Sequence, residues 1–182
     1  ICFSSSVSLA LTINSLEMRC LKNGSVIQKE IKGHGLKNQE EISGSESKIL
    51  INAPAEKVWA VLDNKENLPR IIRQIKSAQI LEDNGNYEKV KTSVKLCRLL
   101  PEFDYVLSFD QSQKHRRMKF VKTDGCFKEL FGYFEFIPCG NSTILGYRIY
   151  SNPGFYIPDF ITGGLKKDAK EVMKTIKKEA EK

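Results

Sequence analysis

The sequence is poor in the residues and motifs that identify most catalytic and metal-binding proteins. It has only two histidines and one tryptophan in 182 residues, and no phosphate-binding glycine loop, G-x-S-x-G or H-E-x-x-H sequence. No two of its five cysteines stand at C-x-x-C spacing, which argues against zinc or thioredoxin-like chemistry, and their odd number argues against a complete disulfide framework. The sequence contains no run of about 18 apolar residues, so it predicts no membrane-spanning helix.

Positive charge is in excess, but its arrangement does not indicate nucleic-acid binding. There are 29 Lys and Arg against 22 Asp and Glu, a net charge of +7. The densest basic clusters, residues 114–119 and 166–182, are predicted to be a surface turn and the solvated face of a helix. We therefore expect no nucleic-acid partner. A content of 41% hydrophobic and 28% charged residues is typical of a folded domain.

The first residues differ from the rest of the chain. Residues 1–12 are uncharged, apolar and rich in small side chains. They resemble the end of the apolar region of a signal peptide, and the alternative is a short strand or helix of the mature domain. The first interpretation predicts a secreted or periplasmic protein, and the second leaves it cytoplasmic. We accordingly divide the chain into an N-terminal segment, residues 1–25, and a single domain, residues 26–182.

Apolar side chains alternate with a period of two through the middle of the chain, which predicts antiparallel strands with one buried face. Two earlier strands are predicted at 26–31 and 47–53. Two short helices follow, at 55–62 behind Pro54 and at 68–75 with Pro69 in its first turn. The strands of the alternating region are predicted at 78–82, 87–96, 103–109, 114–121, 127–137 and 143–151.

From Asp159 onward the apolar spacing is that of one long amphipathic helix. Gly163 and Gly164 disfavour a helix interior, so the helix either begins after Gly164 or bends there. A helix of about 25 residues is about 37 Å long and can cover the apolar face of a curved sheet. The space between sheet and helix is then a candidate cavity with apolar walls. We expect polar side chains on its face at Thr92, Tyr105, Thr143 and Tyr147, and Arg148 or Tyr150 at its mouth.

Three segments carry a family resemblance: INAPAEKVWAVLDNKENLPRII (51–72), GYFEFIP (132–138) and TILGYRIYSNPG (143–154). Together with the final helix they resemble the START-like (SRPBCC) helix-grip superfamily, and within it the coenzyme Q-binding, polyketide cyclase/dehydrase-like branch. The resemblance covers about residues 47–182. It implies an α+β helix-grip fold of the START/pollen-allergen type, with a curved antiparallel sheet wrapped around the C-terminal helix and two short helices after the first core strand.

The resemblance also implies a hydrophobic ligand such as a quinone, lipid, steroid or polyketide. The branch often has Tyr-Pro where this chain has Leu68-Pro69, and Trp where this chain has Phe134, so the ligand stays open. Our first hypothesis is a non-catalytic binding or carrier protein for a lipid, quinone or polyketide-like molecule, which needs no metal and no cofactor. The predicted ligand contacts lie on the first short helix, the strands, the loop at 153–158 and the last helix: Trp59, Val94, Tyr105, Leu107, Phe120, Phe134, Tyr147, Phe155, Ile157, Phe160, Ile161 and Leu165.

Two other hypotheses stay open. One is a cyclase- or dehydratase-type enzyme that acts on a polyketide-like substrate in the same cavity. This enzyme requires a polar dyad in the cavity. We assign a catalytic role to neither His34 nor His115. The other is an interaction protein, which would fill the cavity with its own side chains.

The aromatic residues before the last helix also suggest transient contact with a membrane surface. The sequence predicts no oligomeric state.

Overall fold

The computed structural model describes residues 13–37, 39–96, 98, 100–155 and 159–182, and it describes no side chains between residues 159 and 168. The helices are α1 (Ser15–Lys22), α2 (Ala55–Asp63), α3 (Leu68–Ile71) and α4 (Asp159–Ala180), with a 3-10 turn at Lys65–Asn67. The strands are β1 (Ile27–His34), β2 (Glu41–Ile51), β3 (Ile75–Asp83), β4 (Tyr87–Val94), β5 (Phe103–Gln113), β6 (Arg117–Gly125), β7 (Glu129–Cys139) and β8 (Ser142–Asn152).

The eight strands form one antiparallel sheet in the order β1-β2-β8-β7-β6-β5-β4-β3. The hairpin β1-β2 pairs with β8, the last strand, while β3 lies at the opposite edge. Helices α2 and α3 therefore carry the chain from one side of the sheet to the other. Asp83 and Gly85 close the β3–β4 hairpin through a hydrogen bond from the Gly85 amide to the Asp83 carboxylate, as the turn signal at 83–86 predicts.

One face of the curved sheet, the concave face, carries the hydrophobic core. Alternate residues of β2, β4, β5, β6 and β7 are buried there, and so are four of the α4 residues whose side chains the structure describes. The members from α4 are Val172, Met173, Ile176 and Ala180. The predicted α+β helix-grip fold, with a curved sheet, two short helices and a long C-terminal helix, is confirmed.

The opposite, convex face is polar near β2 and β8. Glu46 bonds to Arg148, and Lys29 and Lys48 approach its carboxylate at 2.9 and 3.4 Å. Tyr150 is buried against Phe131, with ring centroids 5.1 Å apart. Arg148 and Tyr150 therefore belong to the convex face, because Tyr147 and Ile149 of the same strand face the core. The expectation that they stand at the cavity mouth is wrong.

Several element boundaries differ from the sequence expectations. α1 and the first half of β2 lie in a stretch where no element was predicted. α3 ends at Ile71 rather than Ile75, because Ile72 adopts an extended conformation that leads into β3. α4 begins at Asp159 and runs through Gly163 and Gly164, so the alternative in which it begins after Gly164 is wrong.

α1 packs on the sheet. Its Leu21 is buried, and the Glu17 carboxylate lies 3.2 Å from Lys48 Nζ. Residues 15–22 therefore contact the domain, although they fall within the predicted N-terminal segment 1–25. The boundary at residue 26 stays a prediction, and the apolar residues 1–12 lie outside the described residues. In the described part of the chain, no helix is long and apolar enough to cross a membrane.

Candidate functional site

An aromatic cluster forms the middle of the concave face. Phe120 of β6, Phe134 of β7 and Tyr147 of β8 have ring centroids 4.5 to 6.1 Å apart. The cluster needs Gly132 on β7, since a Cβ there would stand 2.7 Å from Phe120 Cζ. The sequence therefore builds an aromatic wall, in which the Phe120 ring is tilted by 47° to that of Phe134, by placing a glycine beside large rings.

One end of the concave face is closed by α2 and the 3-10 turn. Trp59 is buried, with its ring 5.1 Å from that of Phe136 and 5.6 Å from that of His115. His115 has an acidic neighbour, Glu56, at 4.0 Å, but both side chains are partly solvent-exposed. They lie on the outer side of Trp59, so this contact does not supply a polar dyad to the core.

Lys65 is fully buried at the same end, where it contacts three partners. Its Nζ donates to the Asp63 carbonyl at 3.0 Å, lies 3.1 Å from the Glu88 carboxylate and stands 5.0 Å from the centre of the Phe109 ring. Burial lowers the pKa of Lys65, and Glu88 opposes that effect. Because these protein groups enclose the ammonium, we assign Lys65 a structural role at this end of the concave face.

The other end of the face is lined by aromatic side chains from loops and strand ends. Phe155, from the loop before α4, stacks on Phe103 of β5 at 5.2 Å. Tyr105 meets Phe127 edge-on at 5.4 Å. Phe103 and Phe127 were not among the predicted ligand contacts. Phe103 begins β5 on the same face as Tyr105, and Phe127 follows a turn shortly before β7 begins. These two positions are the signals that could have identified them.

Four hydroxyl groups interrupt the apolar concave face: those of Ser47, Thr92, Tyr105 and Tyr147. Ser47 was not singled out in the sequence, although it precedes Ile49 and Ile51 at a spacing of two. The fourth polar residue expected here, Thr143, donates a hydrogen bond to the Ala53 carbonyl at 2.8 Å and so has a structural role.

Burial raises the pKa of both tyrosines, with Cys126 adding to the effect on Tyr105 and Tyr105 adding to that on Tyr147. Both phenols therefore stay neutral at physiological pH. They can donate hydrogen bonds to a ligand but cannot serve as a phenolate base.

The structure describes the side chains of eight of the twelve predicted ligand residues. Trp59 lies at the closed end, Phe155 at the other, and six lie on the strands between them: Val94, Tyr105, Leu107, Phe120, Phe134 and Tyr147. Ile157 lies outside the described residues. Phe160, Ile161 and Leu165 lie on α4, but their side chains are outside the described part of the structure. All twelve assignments stay predictions.

A separate pocket of about 520 Å³ opens between α3 and α4. Its lining includes Arg70, Arg73 and Glu171, and none of the twelve predicted ligand residues. It therefore does not coincide with the described part of the predicted ligand site, although Val172 in its lining also belongs to the core.

Comparison with known proteins identifies the family. The model of the family described as polyketide cyclase/dehydrase and lipid transport matches residues 51–177, from the end of β2 to the last turns of α4. The chain belongs to this family. A search of curated proteins found no match. The family and the fold together support binding of a hydrophobic small molecule, as in polyketide cyclisation or lipid transport.

Solved structures of this family's fold include both kinds of protein. A STAR-related lipid transfer protein from Xanthomonas axonopodis superposes with a TM-score of 0.67 at 11% identity, over 87% of this chain and 99% of the other. The Zhui aromatase/cyclase from Streptomyces sp. R1128 superposes with a TM-score of 0.63 at 14% identity, over 85% of this chain and 94% of the other. A START superfamily protein from Mycobacterium smegmatis superposes with a TM-score of 0.59 at 18% identity, over 76% of this chain and 94% of the other. At these identities the similarity is one of fold.

Proposed function

We propose that this protein binds and carries a hydrophobic small molecule in the space between the concave face and α4, without transforming it. The observation that carries the proposal is the chemistry of that face. Its described residues are mainly aromatic and aliphatic, interrupted by neutral hydroxyls, and the ion pair of Lys65 and Glu88 lies at its closed end. Removing about 400 Å² of apolar ligand surface from water would contribute about 10 kcal/mol, before the costs of ordering.

A cyclase or dehydratase needs a group that gains or loses a proton near neutral pH. The two tyrosines on the concave face have raised pKa values, because burial disfavours the phenolate. The ion pair of Lys65 and Glu88 at the closed end is enclosed by Asp63 and Phe109. These features favour carriage over catalysis.

The test is to identify what the protein holds. We expect purified protein, or protein incubated with vesicles of total lipid extract and re-isolated, to release close to one hydrophobic molecule per chain on organic extraction, as measured by mass spectrometry. The molecule should be recovered unchanged after long incubation. Extraction of no such molecule from either preparation would contradict the proposal, and its time-dependent conversion would favour the enzyme.

A matched pair of variants locates the site. Leu107 faces the core, whereas its neighbour Val106 faces the other side of β5. Leu107→Trp fills the concave face and should abolish most of the bound molecule, while Val106→Trp adds the same side chain outside and should retain it. Equal loading of the two variants would show that the ligand lies elsewhere.

A further inference from the structure

The pocket between α3 and α4 has the features of a binding site that the carrier function does not use. Its volume of about 520 Å³ lies within the range of small-molecule sites, roughly 300–1,000 Å³. Its described lining comes from two short stretches of the chain, within residues 69–74 and 171–175. A molecule held there would contact α3 and α4, whereas the proposed cargo contacts the strands of the sheet.

The floor of this pocket is aliphatic. Ile71 of α3 and Val172 of α4 line it, and both side chains are almost fully buried as members of the hydrophobic core. Pro69 adds a third apolar side chain to the lining. This surface can take up the apolar body of a ligand, but it offers no partner to a small ion.

The rim of the pocket carries a positive charge without a counter-charge. Arg70 is exposed, and it forms no ion pair with any other residue that the structure describes. The two acidic side chains close to it have cationic partners of their own. Glu171 accepts a hydrogen bond from Lys174 at 3.0 Å, and Glu179, which interacts electrostatically with Arg70, accepts one from Lys182 at 2.7 Å. The guanidinium of Arg70 is therefore available to a ligand.

The other polar groups of the lining fit an anion better than a cation. Arg73 brings a second guanidinium to the pocket, although it also has a contact within the protein. Thr175 donates its hydroxyl hydrogen to the Glu171 carbonyl at 2.9 Å, which holds it to α4. Glu171 is the single carboxylate among the described lining residues, and one carboxylate is too few to hold a hard metal cation. A guanidinium, in contrast, matches a carboxylate through two parallel hydrogen bonds.

We propose that this pocket is a second binding site, for an organic monocarboxylate with an apolar body. Arg70 pairs with the carboxylate at the rim, and the apolar body covers Ile71 and Val172. One guanidinium without a counter-charge balances one negative charge, and the aliphatic floor requires a ligand that is more than an inorganic ion. The inference does not rest on the proposed function, because the lining includes none of the twelve predicted ligand residues.

The test compares three probes that differ in charge or in apolar body. Phenylbutyrate has both, phenylbutanol has the same body without the charge, and inorganic phosphate has charge without the body. In two-dimensional NMR titrations at low ionic strength, we expect phenylbutyrate to shift the backbone amide signals of residues 70–74 and 171–175. It should bind there at least about tenfold more tightly than either other probe, because only phenylbutyrate gains both a charge-assisted hydrogen bond and apolar burial. Added sodium chloride should weaken its binding.

Two arginine variants test the role of Arg70. Arg70→Gln should weaken phenylbutyrate binding about tenfold and leave phenylbutanol binding unchanged. Arg116→Gln removes another exposed charge, from the turn between β5 and β6, and should bind phenylbutyrate as the wild type does. Equal affinity of the three probes, or the same loss in both variants, would overturn the inference.

Leu107→Trp separates this pocket from the carrier cavity. The variant fills the concave face, so the proposed cargo should be lost while phenylbutyrate still shifts the signals of residues 70–74. Loss of phenylbutyrate binding in this variant would place the acid in the carrier cavity and overturn this inference, leaving the proposed function intact. Failure to extract any cargo from the wild type would contradict the proposed function and leave the carboxylate site untouched.

Discussion

At the scale of single residues, the least expected feature is the buried charge of Lys65. The segment KEN at 65–67 follows α2 and looks like an exposed polar turn in the sequence. The side chain instead turns inward, where Asp63, Glu88 and the Phe109 ring surround its ammonium. No local pattern predicts this arrangement, because Glu88 is more than twenty residues away and comes close only when the β3–β4 hairpin packs beside the 3-10 turn.

Lys65→Met should destabilise the protein by about 3–5 kcal/mol, because it leaves the buried Glu88 carboxylate without its counter-charge. Urea unfolding monitored by circular dichroism measures the change. Lys89→Met, which breaks the exposed pair of Lys89 and Glu82, is the control and should change stability by less than about 1 kcal/mol. A Lys65→Met, Glu88→Leu double variant should recover much of the loss. Similar stabilities of the two single variants would show that the pair has no structural role.

At the scale of elements, strand β2 joins its two neighbours, β1 and β8, through ion pairs on the convex face. Glu46 contacts Lys29 of β1 and Arg148 of β8, and only 2% of its side chain is exposed. Burial by itself would raise the pKa of Glu46, but hydrogen bonds from Lys29 and Arg148 hold it below its ordinary value. A carboxyl group with a depressed folded-state pKa stabilises the fold above its unfolded pKa, and this stabilisation is lost as the pH falls through the folded pKa.

Glu46→Gln should therefore cost about 3 kcal/mol at pH 7, and the difference from wild type should shrink as the pH falls below about 4. Denaturant titrations from pH 7 down to pH 3 measure this dependence. Glu41→Gln, on the same strand in an exposed pair with Lys32, should have a small effect at every pH. A Glu46→Gln effect that is constant over this range would contradict the assignment of its stabilisation to the charged carboxylate.

The elements also show where sequence patterns suffice. Alternating apolar residues predicted the central strands, since each has one face in the core. α1 was missed because it is polar and short, although Asn14 and Glu17 form a capping box, a signal readable as N-x-x-E. The sequence does not decide whether α4 passes through Gly163 and Gly164, because each glycine in a helix interior costs about 1 kcal/mol relative to Ala and tertiary packing of an amphipathic face can override that cost.

At the scale of the whole molecule, the fold was predictable and the centre of the site was predictable only in part. Periodicity and the resemblance were enough for the helix-grip architecture and for the aromatic wall at Phe120, Phe134 and Tyr147. How closely the end with Tyr105 approaches the middle with Tyr147 depends on how far the sheet curves between β5 and β8. Alternation indicates which face a residue takes, but it does not give the distance across that face.

A carrier whose interior is occupied by a ligand should lose stability when the ligand is removed. A ligand present at 100 times its dissociation constant stabilises the folded state by about 2.7 kcal/mol, which for a domain of this size corresponds to about 5–10 °C in Tm. We therefore expect protein stripped of its bound molecule on a hydrophobic resin to stay folded and to melt about 5–10 °C lower than the loaded protein in differential scanning calorimetry. Reloading should restore the Tm, and Leu107→Trp should show no such difference because its interior is already filled. An unchanged Tm after stripping the wild type would instead favour an interaction protein whose concave face is filled by its own side chains.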